Sequence, residues 1–298
     1  MRTRDTFSTY NPVINFVFFA GALIFSMFYI HPAFLICSFV LSSAYYLTLK
    51  GTDGLKLIAG MIPLFIFMSA VNPLLNRNGD TVLFTYFGGR PYTFEALCYG
   101  MALSCMFISV IIWFASYSVV MTSDRFLYIF GRMAPSLSMV LTMILRFIPL
   151  YSRKAAQISS ARSSIGMSGH SGTFKDKLRS GMTVLSTLTS WALEGGIVAA
   201  DSMRSRGYGS GRRTGFAVYR FDRRDIAVLA IMILLAAVVA VCGFFGAAEA
   251  SYTPKMHVAP AGSICTAAGT AAYFLFLSLP SVINITEEIK WHILRSGI

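Results

Sequence analysis

Apolar runs long enough to cross a bilayer recur along this chain, separated by short polar punctuation. About 20 consecutive apolar residues span the hydrocarbon core as a helix. Residues 12–30 fit, and His31-Pro32 punctuates the run before residues 33–49 return. The stretch Lys50-Gly51-Thr52-Asp53-Gly54-Leu55-Lys56 predicts a turn on the cytoplasmic side, and residues 57–75 a third span with a helix terminus near Asn72-Pro73. Residues 76–95, with Gly79, Gly88, Gly89 and Pro91, read as an external polar loop, and residues 96–121 as a long fourth span. Further on, residues 226–245 run outward, and residues 246–262, with Pro254 and Pro260, form an external loop. Residues 263–282 return, leaving Glu287, Glu288, Lys290 and Arg295 in a cytoplasmic tail. The fold class expected is an all-α integral membrane protein of about six transmembrane helices, with both termini cytoplasmic and further helices on the inner side.

Between the fourth and fifth spans the pattern changes. Thr122 or Ser123 can N-cap a helix with Asp124 near its positive end. Phe126, Leu127, Ile129 and Phe130 make one apolar side bordered by Arg125 and Arg132, which predicts a short interfacial helix broken by Pro135. Residues 136–151 are apolar but contain Arg146 and Pro149, and 16 residues reach only about 24 Å as a helix. They are expected to stay on the cytoplasmic side, as the buried start of a helix running to about Ile165. Arg146 is expected to snorkel toward lipid headgroups. Gly166, Gly169 and Gly172 mark a turn, and a second long helix is predicted from about Phe174 to Arg206, ended by Gly207, Gly209 and Gly211. Within it, Ala192, Gly195, Gly196, Ala199 and Ala200 would permit close helix contact. The domains expected are a four-span region (1–121), a cytoplasmic or interfacial helical region (122–224), and a two-span region with a tail (225–298).

Charge fixes the sidedness. Residues 153–224 carry 13 Lys and Arg against four acids, so nine of the chain's twelve excess positive charges lie there. Such a block beside apolar spans stays in the cytoplasm. Nucleic acid is not expected as a partner, because the charge sits where positive-inside topology puts it. Of 298 residues 55% are hydrophobic and 13% charged, well below the roughly 25% charged of a soluble domain. No cleavable signal peptide is expected: Arg2 and Arg4 share the N-terminus with Asp5, and no small-residue cleavage site follows the first apolar run. Cys37, Cys98, Cys105, Cys242 and Cys265 lie in apolar stretches without Cys-x-x-Cys spacing, so neither a disulfide framework nor a zinc site is expected. His31, His170, His257 and His292 lack metal-ligand spacing.

Catalytic chemistry finds no carrier. Ion relays need acids or histidines inside spans, yet the acids lie in loops, caps and the cytoplasmic helices, with Glu95 at a span edge. No phosphate loop, Gly-x-Ser-x-Gly elbow or His-Glu-x-x-His motif occurs. No catalytic, cofactor-binding or metal-binding residue is therefore assigned. Glu194 and Asp201, seven apart, are expected to pair with basic neighbours such as Arg204. What remains are Ala161-Arg162-Ser163 and Ser205-Arg206-Gly207, an arginine between small residues near the end of each long helix. Such an end can enter a groove on a partner and present five donors to carboxylates or carbonyls. It can equally be a solvated cation that suits a helix C-terminus.

The chain resembles, over nearly its whole length, the transmembrane T component of energy-coupling factor (ECF) transporters, the CbiQ-like family. The resemblance rests on Met121-Thr122-Ser123-Asp124-Arg125-Phe126, Leu145-Arg146-Phe147-Ile148-Pro149, Trp191-Ala192-Leu193-Glu194 and Ala200-Asp201-Ser202-Met203-Arg204-Ser205-Arg206-Gly207-Tyr208. The family ends its two coupling helices in Xaa-Arg-Xaa signatures, often Ala-Arg-Gly. Here they map onto Ala161-Arg162-Ser163, which lacks the glycine, and Ser205-Arg206-Gly207, which lacks the alanine. The resemblance implies that two cytoplasmic ABC-type ATPase subunits bind these tips and hydrolyse ATP, so that this chain is not itself an enzyme and holds no cofactor. It also implies a separate membrane S component that binds substrate and packs on the apolar surface of the T component. The function expected is energy coupling for vitamin, micronutrient or metal-ion uptake at the plasma membrane. The alternative is a stand-alone channel or carrier whose basic block binds anionic lipid.

Overall fold

A computed structural model describes residues 5–76, 79, 81–86, 90–167, 173–211, 219, 221–252, 257–258 and 264–296. The expected glycines 88, 89, 169 and 172, the prolines 254 and 260, and Arg212, Arg213, Arg220 and His170 lie outside the described residues, as does the side chain of Arg132. The chain divides into two compact units, Met1–Phe126 with Tyr219–Ile298, and Leu127–Val218.

The first unit holds the apolar helices. α1 spans Pro12–Phe28, α2 Pro32–Lys50, α3 Thr52–Leu75, α4 Phe94–Val120, and the start of α5 (Ser123–Met133) follows. The second unit is built from α6 (Pro135–Ser164) and α7 (Phe174–Ser205). The chain then returns to the first unit with α8 (Arg223–Cys242) and α9 (Ile264–Ser296). Five helices, α2, α3, α4, α8 with the turn after it, and α9, are long and apolar enough to cross a membrane. α1 is equally apolar but has 17 residues, about 25 Å, at the short end of what crosses a bilayer. The protein is a multi-pass, all-α membrane protein. Helices dominate because lipid offers no water to a free backbone amide, so each span closes its own hydrogen bonds.

Local chemistry sets the ends. Asn11 caps α1 by accepting from the Val13 amide at 3.1 Å, with Pro12 in the first turn. His31 does the same for α2, its Nδ1 accepting from the Ala33 amide at 3.3 Å. The turn expected over residues 50–56 shrinks to one residue. Gly51, at φ 60°, reverses the chain alone, and α3 starts at Thr52. α3 also passes through Pro73 and ends at Leu75, beyond the expected terminus. Asp222 and Asp225 form a reciprocal capping box on α8.

Two small antiparallel hairpins occupy the connections between α3 and α4 and between α8 and α9. β1 (Val82–Tyr86) pairs with β2 (Arg90–Thr93), and β3 (Ala250–Ser251) with β4 (His257–Val258). Glu95, at the edge of α4, ties the first connection down by accepting from the amide and hydroxyl of Thr81.

The core of the first unit is aromatic. Phe7, Phe18, Phe19, Tyr45, Trp113 and Tyr273 are fully buried. Phe18 lies 5.4 Å from Phe276 and 5.6 Å from Trp113 between ring centroids, within the favourable range for aromatic pairs. A polar thread runs through this core. The Ser26 hydroxyl lies 2.8 Å from that of Ser38 and 3.1 Å from that of Tyr273, and the Trp113 indole donates to Ser38 at 3.2 Å. The thread joins α1, α2, α4 and α9, and in lipid such interhelical bonds are worth about 0.6 kcal/mol each.

The N-terminal segment docks on the same unit. Asp5 accepts from the Asn284 amide at 2.7 Å and from the Tyr45 hydroxyl at 3.3 Å, and the Phe7 amide donates to Asn284 Oδ1 at 3.0 Å. Burial outweighs these donors and pushes the Asp5 carboxyl above its ordinary 3.8. A carboxyl raised in the folded state stabilises fully below that ordinary value and loses its contribution as pH rises through the raised one. Protection of the N-terminal segment from proteolysis is therefore expected to fall with rising pH above 3.8 in the wild type. In Asp5→Asn it should be flat over the same window. A wild-type profile as flat as the variant's would refute the coupling.

Candidate functional site

Both helices of the second unit finish in the same backbone device. At the end of α6 the Met167 amide donates to the Arg162 carbonyl at 3.0 Å and the Gly166 amide to Ser163 at 3.1 Å. At the end of α7 the Tyr208 amide donates to Met203 at 3.1 Å and the Gly207 amide to Arg204 at 3.0 Å. These are two Schellman motifs, each turning on a glycine of positive φ, 79° at Gly166 and 78° at Gly207. The arginines take different places in them. Arg162 sits in the last turn of its helix, whereas Arg206 is the capping residue itself.

The small neighbours leave each arginine accessible. Ala161, Ser163, Ser205, Arg206 and Gly207 are exposed, and Arg162 is half-buried with its Nε shielded and without a hydrogen-bond partner among the described residues. The flanking serines bond inward, Ser163 to the Ser160 carbonyl at 2.7 Å and Ser205 to the Ser202 carbonyl at 2.9 Å. Their hydroxyls are occupied, so the donors offered at each end are those of the arginine.

The structure does not bring the two arginines together. The Tyr208 hydroxyl meets Met139 Sδ at 2.6 Å, which sets the end of α7 against the start of α6. Near mid-helix, Tyr151 packs edge-on against Trp191 at 5.8 Å, and the Lys154 ammonium lies 5.2 Å over the Trp191 ring. α6 and α7 are therefore antiparallel. Met139 and Arg162 are separated by 23 residues of one helix, which places Arg162 roughly 35 Å from the Arg206 end at 1.5 Å per residue.

α7 carries a second feature. Phe174, Leu178, Met182, Leu185, Leu193 and Ile197 are all exposed. At 3.6 residues per turn they form one stripe about half a turn from Trp191, so it faces away from α6. Several expectations fail here. Residues 136–151 are not a buried start: Leu137, Val140, Ile144 and Ile148 are exposed. The small-residue run would permit close helix contact, and at Gly195 and Gly196 no other helix of the described residues uses it, since a Cβ added at either would meet nothing within 4 Å. Glu194 and Asp201 form no ion pair, with Arg204 or otherwise; among the described residues the ion pairs are Asp53–Lys56 and Glu287–Lys290. Arg146 lies 5.7 Å from the Phe147 ring centroid.

The capping glycines were legible, as Gly166 and Gly207 follow the last periodic residues. The separation of the two ends was not, because it depends on where Trp191 meets Tyr151. Among the described residues no three His, Cys, Asp or Glu gather as a metal site. No protein-family model matches the chain, and no curated protein matches it.

Proposed function

We propose that this chain is the energy-coupling transmembrane subunit of an ECF-type importer in the plasma membrane. In this reading residues 122–224 and both termini face the cytoplasm, as the charge distribution favours. Two ABC-type ATPase subunits grip the ends of α6 and α7 and hydrolyse the ATP. A separate membrane S component carries a vitamin, another micronutrient or a metal ion and packs on the apolar stripe of α7.

The observation that carries the proposal is the pair of arginine-bearing, glycine-terminated ends at opposite poles of one antiparallel helix pair. A single anion or lipid headgroup cannot engage both ends at once. Two separate subunits can, and their closure would then act on both poles of the pair. Arg162 and Arg206 serve as mechanical contacts in this scheme, with Ala161, Ser163, Ser205 and Gly207 giving them room.

The test is affinity purification of the tagged chain from its native membrane in mild detergent. Co-purification of ATPase subunits and a small membrane protein is expected. An intact chain that emerges alone would replace the proposal with a stand-alone channel or carrier.

Gly195 and Gly196 are the proposed bending point of α7. Each costs about 1 kcal/mol of helix stability relative to Ala, and nothing packs there to resist added methyl groups. Gly195→Ala with Gly196→Ala is expected to stiffen α7, leave assembly intact and slow transport several-fold. Normal transport by the double variant would remove the bending role.

A further inference from the structure

Two cysteines that the sequence keeps 23 residues apart meet in the fold. Cys242 is the last residue of α8 and Cys265 the second residue of α9. The two helices pack antiparallel, so both residues lie at the same end of the bundle. The two thiols lie close enough to perturb one another electrostatically. A second measure of the same approach comes from Gly269, one turn beyond Cys265 on the same face of α9: a Cβ built there would lie 3.1 Å from Cys242 Cβ. The missing side chain at 269 lets α8 come this close. Both thiols are partly exposed. Beyond Cys242 the chain leaves regular helix, with Gly243 opening a π turn and Gly246 at φ 83°. That gives the Cys242 end backbone freedom to adjust to disulfide geometry.

We propose that Cys242 and Cys265 are a reversible disulfide site that staples α8 to α9 at the outer end of the bundle. The proposal rests on the topology argued above, which places this end in the extracytoplasmic space, where disulfides form and persist. The oxidant is a small-molecule disulfide. One cysteine loses its proton, and its thiolate attacks a sulfur of that disulfide, forming a mixed disulfide and releasing one thiolate. The second cysteine, as thiolate, attacks the protein-side sulfur of the mixed disulfide and expels the other small thiolate. One S–S bond forms in the chain and one breaks in the oxidant. The two released thiolates take up the two cysteine protons, and two electrons pass from the cysteines to the oxidant. Cys37, Cys98 and Cys105 stay out of the reaction.

The experiment uses the full chain in right-side-out membrane vesicles. A membrane-impermeant maleimide first maps thiol access from outside. Parallel vesicles then receive oxidised glutathione, followed by denaturation, alkylation and peptide mass spectrometry. Before oxidation all five cysteines should alkylate. After it, three should alkylate, with one linked peptide pair carrying Cys242 and Cys265, and dithiothreitol should restore all five. Cys242→Ser should yield no linked pair: four thiols alkylate before oxidation, and after it Cys265 is found either alkylated or held as its glutathione mixed disulfide. External labelling of these cysteines without a linked pair would overturn the staple while leaving the topology standing. Labelling only in inverted vesicles, or from neither face, would overturn the staple together with its external placement.

Discussion

Charge reversal at both helix ends, Arg162→Glu with Arg206→Glu, is expected to abolish co-purification of ATPase subunits while the chain still inserts and folds. The backbone argument for folding is direct. Both Schellman motifs are closed by amides and carbonyls, and the glycines supply the turn, so neither arginine side chain is part of its own cap. Truncating one partner of a buried, hydrogen-bonded charge pair costs about 2–5 kcal/mol. Each single reversal should therefore weaken its own contact by about 30-fold or more. The two ends lie roughly 35 Å apart along α6, beyond the range at which neighbouring substitutions couple, so the single effects should add. Arg162→Lys and Arg206→Lys separate this from lipid attraction. Lysine keeps the charge but loses the planar fork. A docked arginine should lose about tenfold on that change, whereas a lipid-facing cation should lose nothing. Wild-type yield of ATPases with the double glutamate variant would sink the proposed contact.

How much of this was legible in the sequence follows from how local the determinants are. The helices of the membrane unit were readable because lipid forces each span to satisfy its own backbone, and because Asn11-Pro12 and His31-Pro32 mark their starts. The long helices were readable for the same reason of locality: α6 ends at Ser164 and α7 at Ser205, within a residue of expectation, since glycine caps sit just beyond. The β1–β2 hairpin was overlooked, although Val82, Phe84 and Tyr86 alternate ahead of Gly88-Gly89, a usable hairpin signal.

Long-range partners were not readable. The Glu194 and Asp201 pairing failed because spacing permits a pair but cannot set rotamers on an exposed face. The small-residue run of α7 resembled a packing seam, yet α7 meets α6 through Trp191 instead. Cysteine spacing speaks only to local motifs and is silent on two cysteines brought near one another across α8 and α9. The anchoring of Asp5 by Asn284 joins positions 279 apart in sequence, and no local pattern announces it.

The membrane unit should depend most on Trp113. Trp113→Ala is expected to destabilise it by about 3 kcal/mol, the lower end of the range for a buried aromatic truncation. The lower end applies because the helices stay in lipid when their packing is lost, so the water-transfer part of the usual cost is absent. What is lost is contact. The Trp113 ring lies 5.6 Å from Phe18, 6.3 Å from Phe19 and 6.2 Å from Tyr45, on helices α1 and α2. The indole also holds Ser38, but Ser38 keeps its bond to Ser26 when the indole is removed. Packing should therefore outweigh hydrogen bonding. Trp113→Phe, which keeps an aromatic ring and removes the donor, should cost about 0.6 kcal/mol for the bond plus a modest packing loss. In detergent-solubilised chain the Ala variant should melt on the order of 10 °C below wild type, and the Phe variant by only a few degrees. An Ala variant that melts with wild type would mean that the aromatic cluster is not what holds the bundle. Equal losses in Ala and Phe would instead assign the bundle's stability to the indole–serine thread.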